Sequence, residues 1–419
     1  MERLPKGVFV LYEEQLEKYA RLVVHTGINL QQNQTLVINS PLECAPFSRM
    51  IAEAAYRAGA RDVVINWKDE LFSKIRFLHA PEEVFDEYPE WQQQFYLSYV
   101  KEGAAFVSIA ASDPELLKDV NPERVAKQQK AGNTALKEYR ERLMSNKNVW
   151  CVVSIPTKPW AQKVFPQLSA EKAVDALWQA IFKTVRVDTE DPVAAWEGHK
   201  QTLKARMDFL NSHNFQFLRY RNALGTDLQI ELPENHIWLG GSEFTPAGVE
   251  FIANMPTEEV FTLPKKTGVN GTVVSSKPLN YNGNLIENFA FTFRDGKVTD
   301  FTAEKGYDIL KKLIGTDAGS CYLGEVALVP YDSPISNSSI LFFNTLFDEN
   351  ASCHLALGKA YPVCIKNGPS MTPEGLATAG VNDSLVHVDF MVGTADLAIT
   401  GITADEKEIP VFRDGNFAF

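Results

Sequence analysis

The first half of this 419-residue chain alternates short apolar runs with segments of helical spacing, and this alternation limits its fold more than any other feature. The runs are rich in β-branched residues, as strands buried in a parallel sheet are. Between the first two runs, apolar residues recur at helical spacing from Phe47 to Ala58. The pattern therefore predicts an N-terminal open parallel α/β sheet domain. Its predicted strands are Thr35–Asn39, Asp62–Asn66, Ala105–Ile109 and Val149–Ser154.

The second half has a different pattern, in which short strand-like runs are separated by turn dipeptides. Asn270-Gly271, Asn282-Gly283 and Asp295-Gly296 are each typical of a tight hairpin. This pattern predicts a mainly antiparallel α+β domain. We expect three parts, which are an α/β domain at residues 1–187, a helical connector at 188–212 and a metal-binding catalytic domain at 213–419.

The charge balance argues against a nucleic-acid partner. The formal net charge is −12 with a pI near 5.2, whereas nucleic-acid-binding proteins usually present a basic field. One local exception is the segment 122–147, which carries seven basic residues against three acidic ones. We interpret it as a solvated helix face, with RNA binding as the alternative.

Motifs and cysteines exclude several further classes. No GxGxxG follows a predicted strand and no GxxxxGK[ST] occurs, so the sheet shows no nucleotide site. No run of 18 apolar residues exists, and the start at Met1–Lys6 lacks the apolar segment of a signal peptide. The five scattered cysteines lack CxxC spacing, which predicts reduced thiols. We therefore expect a soluble cytoplasmic protein without a membrane partner.

Two strand-like runs in the last third contain residues that can bind a metal. In Val386–Phe390, alternation places His387 and Asp389 on one face and the apolar residues on the other. Burying an imidazole or a carboxylate without a partner costs on the order of 2–7 kcal/mol or more. A divalent cation is one partner that would remove this cost. A second run, Glu325–Pro330, begins with a carboxylate.

Further candidates lie in two other segments. His354 and Tyr361 lie seven positions apart, so on a helix both would face one pocket, although Gly358 argues against a continuous helix. Glu258 and Glu259 precede a strand-like run, where adjacent side chains face opposite ways, so we expect one in a site and the other in solvent. Taken singly, each of these residues is also consistent with a structural or surface position. Together, two histidines and at least three carboxylates match the donors of a two-metal centre.

Four blocks that occur in order, NMPTEEVFT, GEVALVP, LFDENASCHLALGKAY and HVDFM, resemble the metalloaminopeptidase family typified by aminopeptidase T, aminopeptidase S and PepS. The resemblance runs through most of the chain. It implies a cytoplasmic, homodimeric exopeptidase of broad specificity that acts on peptides with a free N-terminus. It also implies a centre of two divalent metal ions per subunit. Because the proposed donors are imidazoles and carboxylates without thiolate, we expect zinc or cobalt, with magnesium as the alternative. By the family pattern the metal ligands are Glu259, Glu325, His354, His387 and Asp389, and Tyr361 is catalytic.

These residues suggest a mechanism. Two metal ions would activate a water and polarise the scissile carbonyl. Tyr361 would donate a hydrogen bond to the developing oxyanion, and Glu259 would carry the proton of the water to the leaving amine. Two alternatives are another dinuclear metallohydrolase, such as an amidase or phosphoesterase, and a non-catalytic α/β binding protein.

Overall fold

The computed structural model describes residues 12–281 and 284–419. The chain forms two compact units, each discontinuous in sequence. The first unit contains the chain up to Lys200 together with Ser242–Pro256 and Ile340–Leu346. The second unit contains Gln201–Gly241, Thr257–Ser339 and Phe347–Phe419.

The strands are numbered in chain order. They are β1 (Thr35–Pro41), β2 (Asp62–Lys68), β3 (Ala105–Ile109), β4 (Trp150–Val153), β5 (Phe217–Arg221), β6 (Asp227–Glu231), β7 (Leu239–Gly240), β8 (Glu243–Phe244), β9 (Glu250–Phe251), β10 (Val260–Thr262), β11 (Val269–Val274), β12 (Leu279–Tyr281), β13 (Asn284–Arg294), β14 (Lys297–Lys305), β15 (Leu323–Leu328), β16 (His354–Gly358), β17 (His387–Met391), β18 (Ala398–Ile402), β19 (Glu408–Arg413) and β20 (Asn416–Phe417).

The α-helices are numbered in the same way. They are α1 (Glu13–Leu22), α2 (Ala45–Arg57), α3 (Glu70–His79), α4 (Glu90–Lys101), α5 (Pro122–Ala135), α6 (Lys137–Met144), α7 (Lys158–Val164), α8 (Ala170–Thr184), α9 (Pro192–His213), α10 (Tyr307–Ile314), α11 (Pro334–Asn337), α12 (Thr345–Asp348) and α13 (Pro373–Thr378).

The first unit is built on a four-stranded parallel sheet with the strand order β2-β1-β3-β4. In its register Val37 of β1 lies opposite Val64 of β2 and Phe106 of β3. Both Val37 and Phe106 are buried, as the continuous apolar runs require for a sheet covered on both faces. The predicted parallel α/β sheet is therefore confirmed, and α2 coincides with the predicted helix.

The second unit contains two antiparallel sheets. One has nine strands in the order β12-β13-β11-β6-β5-β18-β19-β20, with β14 paired to β13, and the other has five in the order β17-β16-β15-β10-β7. One apolar core contains side chains from both sheets, including Phe289 and Phe291 of β13 and Phe390 of β17. The predicted antiparallel α+β half is confirmed.

The three predicted hairpin turns have different outcomes. Asp295 and Gly296 both adopt positive φ between paired strands β13 and β14, as a tight turn of this kind requires. The prediction for Asn270-Gly271 is wrong, because both residues lie inside β11. Gly271 has φ +117°, and a Cβ there would lie 2.2 Å from the carbonyl oxygen of Asp227, so this glycine permits a close strand approach. Asn282-Gly283 lies outside the described residues.

Two helical predictions also have clear outcomes. The basic segment is helical and begins where expected, with the Asn121 side chain accepting a hydrogen bond from the Glu123 amide. It is divided, however, into α5 and α6 by Leu136, whose φ and ψ are not helical. The segment that we interpreted as a connector is largely helical and forms α9, whereas its role as a link between two domains stays a prediction.

The described parts of the chain contain no helix that is both long and apolar enough to cross a membrane. All five cysteines are free thiols, and four of them are buried.

Candidate metal centre

The five-stranded sheet has one apolar face and one polar face. Leu355 and Leu357 of β16 and Phe390 of β17 are part of the apolar core. Because side chains alternate along a strand, His387 and Asp389 on β17 lie on the opposite face. This is the alternation that the sequence predicts.

The strand register brings the polar side chains of β15 and β17 into one row. Asp389 lies opposite Ala356, and Ala356 lies opposite Glu325. His387 lies opposite Gly358. The central strand β16 thus presents only small residues between the carboxylates, and this leaves space above the sheet.

A first donor group consists of Glu259, Glu325 and His354, all buried. The Nε2 atom of His354 lies 3.0 Å from Oε2 of Glu259 and 3.5 Å from Oε1 of Glu325. Glu259 immediately precedes β10, and His354 is the first residue of β16. These two positions place both side chains at the same end of the sheet, beside Glu325.

A second donor group consists of Glu325, His387 and Asp389. The Nε2 atom of His387 lies 3.5 Å from Oε2 of Glu325 and 3.3 Å from Oδ1 of Asp389. Within each group, the candidate donor atoms all lie within 4.8 Å of one another. Glu325 belongs to both groups and directs one carboxylate oxygen towards each histidine.

The donor set fits the pair of divalent cations that the family resemblance implies. Among the described residues, buried Oε2 of Glu259 and Oδ1 of Asp389 have no hydrogen-bond partner, although each is close to an imidazole nitrogen. A buried polar group left unsatisfied costs about 1–3 kcal/mol, and more if it is charged. Carboxylate and imidazole donors without thiolate are what zinc, cobalt and similar cations accept.

The orientation of His387 is fixed by the backbone. Its Nδ1 lies 2.6 Å from the carbonyl oxygen of Lys359, so Nδ1 carries the proton and donates it to this oxygen. Nε2 is then available as a donor atom for a cation. The ring of Tyr361 packs edge-on to His387 with the centroids 4.8 Å apart, which places this tyrosine beside the second donor group.

Without a cation, the neighbouring carboxylates favour protonated imidazoles. Burial alone would lower the pKa of His387, but the negative charges of Asp389 and Glu325 outweigh burial and raise the pKa to about 9. Burial likewise opposes the charge on His354, yet Glu259 and Glu325 raise its pKa well above the usual value. Cation binding must therefore displace protons from this site.

Glu349 is a further carboxylate of this region that sequence reasoning missed. It lies in the 3-10 turn Glu349–Ala351 and is buried. Burial raises its pKa well above the usual value, and the charges of Asp389 and Glu259 raise it further. Its position in the LFDENASCH block, five residues before His354, was the available indication.

Two local expectations need correction. His354 and Tyr361 do not share a helix face, because His354 begins β16 and Tyr361 follows that strand. Glu258 does not face solvent, since both it and Glu259 are buried. The Glu258 amide donates to Oδ1 of Asn350 at 2.7 Å, so this bond ties the backbone before β10 to the segment that precedes β16.

The segment that leads into β17 is held by Asp317. This carboxylate accepts hydrogen bonds from the amides of Gly319 and Ser320 at 2.8 and 2.9 Å, and from the Leu385 amide at 2.5 Å. It thereby fixes the chain two residues before His387. Asn382 adds a second anchor, because its side chain donates to the carbonyl oxygen of Gly358 at 2.6 Å.

Comparison with known proteins identifies the family. The sequence matches the family described as thermophilic metalloprotease (M29) over residues 12–417. The chain belongs to this family. It is 53% identical over 408 residues to aminopeptidase 2 of Geobacillus stearothermophilus, with 97% of this chain and 98% of that protein covered. It is 51% identical to aminopeptidase AmpS of Bacillus subtilis, with 97% and 99% covered.

Solved structures agree with this assignment. The chain is similar to wild-type AmpT from Thermus thermophilus with a TM-score of 0.90 and 38% identity, covering 97% of this chain and 100% of the other. A dioxygenase for 2,5-dihydroxypyridine from Pseudomonas putida matches with a TM-score of 0.53 at 11% identity, which shows a shared fold alone. The predicted family and fold are thus confirmed, and the chain is an aminopeptidase of this metalloprotease family.

Proposed function

We propose that the protein removes N-terminal residues from peptides at a centre of two divalent cations that share Glu325. One observation carries the proposal: the two oxygens of Glu325 face two separate donor groups, each with its own histidine and second carboxylate. Glu259 and His354 would complete one cation site, and His387 and Asp389 the other. Zinc or cobalt suits these donors best, with magnesium as the alternative.

When bound, such cations polarise the scissile carbonyl and activate the attacking water. The protein's own groups supply the remaining steps. Tyr361, whose ring packs against His387, would donate its hydroxyl hydrogen bond to the oxygen that becomes negative in the transition state. Glu259 is our first candidate for moving the proton from the water to the leaving amine.

Glu349 is a second candidate for the proton transfer. Its raised pKa allows it to hold a proton near neutral pH, as a general acid and base must. It also belongs to neither of the two donor groups among the described residues. A carboxylate that is not needed as a ligand is free to change its protonation state during the reaction.

The finer features of the function are also proposals. Broad specificity for the N-terminal residue is supported by the resemblance and by relatives whose names specify no preferred residue. A cytoplasmic location is supported by five free cysteines. A homodimer would cover the exposed apolar face of α3, where Leu71, Phe72 and Ile75 are more than half exposed.

The test combines metal counting with substrate choice. The parent enzyme is expected to contain two ions per chain. It should cleave an aminoacyl amide with a free amino group but not the N-acetylated form, and a chelator should abolish this cleavage. Because Glu325 faces both groups, Glu325→Ala should lose both ions, whereas Asp389→Ala should lose one. Efficient cleavage of the blocked amide would indicate an amidase, and loss of a single ion from Glu325→Ala would disprove the shared ligand.

A further inference from the structure

A cavity in the second unit lies outside the two donor groups. Its volume is about 440 Å³, within the range of small-molecule sites. Its walls come from the chain around β5, from the segment that follows β6, from Lys265 and from the segment 365–379. We call it the His236 cavity, after the most buried polar side chain in its wall.

His236 offers an acceptor that no part of the described chain uses. The side chain is only 7% exposed. Its Nδ1 lies 2.8 Å from the carbonyl oxygen of Pro233 and donates to it, so Nε2 carries a lone pair and has no partner among the described residues. Burial lowers the pKa of His236, which keeps the ring neutral and Nε2 an acceptor at neutral pH.

The charged groups of the wall favour a positively charged ligand. Glu231 and Glu234 contribute two carboxylates, against the single ammonium of Lys265. That ammonium already lies 2.6 Å from Oε1 of Glu231. An added cation with N–H donors would therefore find a carboxylate and a histidine acceptor available.

The remaining wall is apolar and suits a hydrocarbon side chain. Phe217, Ile365 and Met371 line the cavity together with the half-buried Ala379. A ligand with an ammonium group next to an apolar side chain matches both parts of the wall. This is the chemistry of the amino end of an apolar amino acid or peptide.

Backbone hydrogen bonds connect part of the cavity wall to the turn at Tyr361. The Ile237 amide donates to the carbonyl oxygen of Cys364 at 2.7 Å, and the Lys366 amide donates to that of Asn235 at 2.9 Å. The Cys364 amide in turn donates to the carbonyl oxygen of Tyr361 at 3.0 Å. A ligand that orders this wall would also order the turn that begins at Tyr361.

We propose that the His236 cavity is an effector site for an apolar α-amino compound, and that its occupancy changes the rate through Tyr361. The effect on rate rests on the function proposed above, whereas binding does not. Two sources carry this chemistry, which are the free amino acid released by the reaction and the amino end of a peptide.

Binding is tested on the metal-loaded enzyme by equilibrium dialysis with L-leucine, N-acetyl-L-leucine and a leucyl peptide whose first amide is reduced to an amine. Ala379→Phe fills the cavity, and Ala377→Phe, two residues along but outside the wall, is its matched control. The parent and Ala377→Phe should bind one more ligand per chain than Ala379→Phe. Glu234→Gln should weaken this extra binding about tenfold, with Glu374→Gln, outside the cavity, unchanged.

Comparing the ligands shows whether the natural effector is the released amino acid or the amino end of a peptide. Extra binding of leucine identifies the released amino acid, and extra binding of the reduced peptide alone identifies the peptide end. If the cavity bound N-acetyl-L-leucine as well as L-leucine, the ligand would not need an ammonium group. If the parent and Ala379→Phe bound the same number of ligands per chain, the cavity would not be a binding site.

Kinetics test the coupling. In the parent, ligand bound in the His236 cavity should change kcat. In Ala379→Phe, where the cavity is filled, the ligand should only compete with substrate and raise KM. Identical inhibition of both enzymes would refute the effector role. If the enzyme had no peptidase activity, the dialysis would still decide whether the cavity binds the ligand.

Discussion

Tyr361 and His387 form the residue pair on which catalysis most directly depends in this proposal. The tyrosine ring packs against the imidazole, while the imidazole is held by the backbone of Lys359. Removing the hydroxyl alone therefore separates catalysis from packing, because a phenylalanine keeps the ring contact.

We expect Tyr361→Phe to lower kcat by roughly 10²–10³, the usual loss for one oxyanion donor, with a smaller change in KM. Metal content and thermal stability should stay at the parent values. Tyr331→Phe, which alters a tyrosine 40% exposed, is the control. If kcat stays within about threefold of the parent, a difference below about 1 kcal/mol, Tyr361 has no role in the chemical step.

Glu259 and Glu349 are distinguished by a second pair of substitutions. Glu349→Gln should retain both ions and lose about 10²–10⁴ in kcat if this residue carries the proton. Glu259→Gln should lose metal affinity as well, because Oε2 lies in the first donor group. Full activity of Glu349→Gln would leave Glu259 as the proton carrier. Metal analysis and steady-state kinetics on both variants give the answer.

At the level of elements, the space above β16 depends on a glycine. Gly358 has φ +102°, and a Cβ there would lie 2.1 Å from the carbonyl oxygen of Val386. That carbonyl belongs to the residue before His387 and accepts a hydrogen bond from the Lys359 amide. A methyl group at Gly358 must therefore displace the strand that carries the second donor group.

Gly358→Ala is expected to lower the melting temperature and to weaken metal binding. Gly103→Ala is the matched control, because Gly103 also has positive φ (+79°) but no atom within 4 Å of its added Cβ. In the control, the free energy of unfolding should fall only by the cost of a non-glycine residue at positive φ, about 1–2 kcal/mol. Equal loss of stability in the two variants, with metal content unchanged, would show that the strand adapts to the added methyl.

Elements that follow local patterns could be predicted from the sequence, and those set by distant contacts could not. The parallel strands and the face of β17 that carries His387 and Asp389 follow from apolar periodicity. The placement of Gly271 in β11 depends on its approach to β6, which lies far away in sequence. The raised pKa of Glu349 depends on its burial and on the charges of Asp389 and Glu259, which lie far away in sequence, so its place in the LFDENASCH block alone could not show it.

For the whole molecule, the donor groups link stability to pH and metal. Without cations, His387 has its pKa raised to about 9 from 6.5, and Glu349 has its pKa raised by burial. A histidine pKa raised by folding adds stability that is full below about pH 6.5 and is lost as pH rises through about 9. Ionisation of a carboxyl with a raised pKa also costs stability as pH rises, so both effects have the same sign.

The melting temperature of the metal-free enzyme should therefore fall between pH 6.5 and pH 9, the window set by the His387 pKa. Stoichiometric zinc or cobalt should raise the melting temperature at both pH values and more at pH 9, because fewer protons must then be displaced. In metal-free His387→Ala the melting temperature should fall less over the same pH range. This variant separates the effect of His387 from the general charge repulsion in a chain with net charge −12. Calorimetry of both proteins with and without metal provides the measurement. A metal-free melting temperature that rises from pH 6.5 to pH 9 would show that the imidazoles do not hold protons in place of the cations.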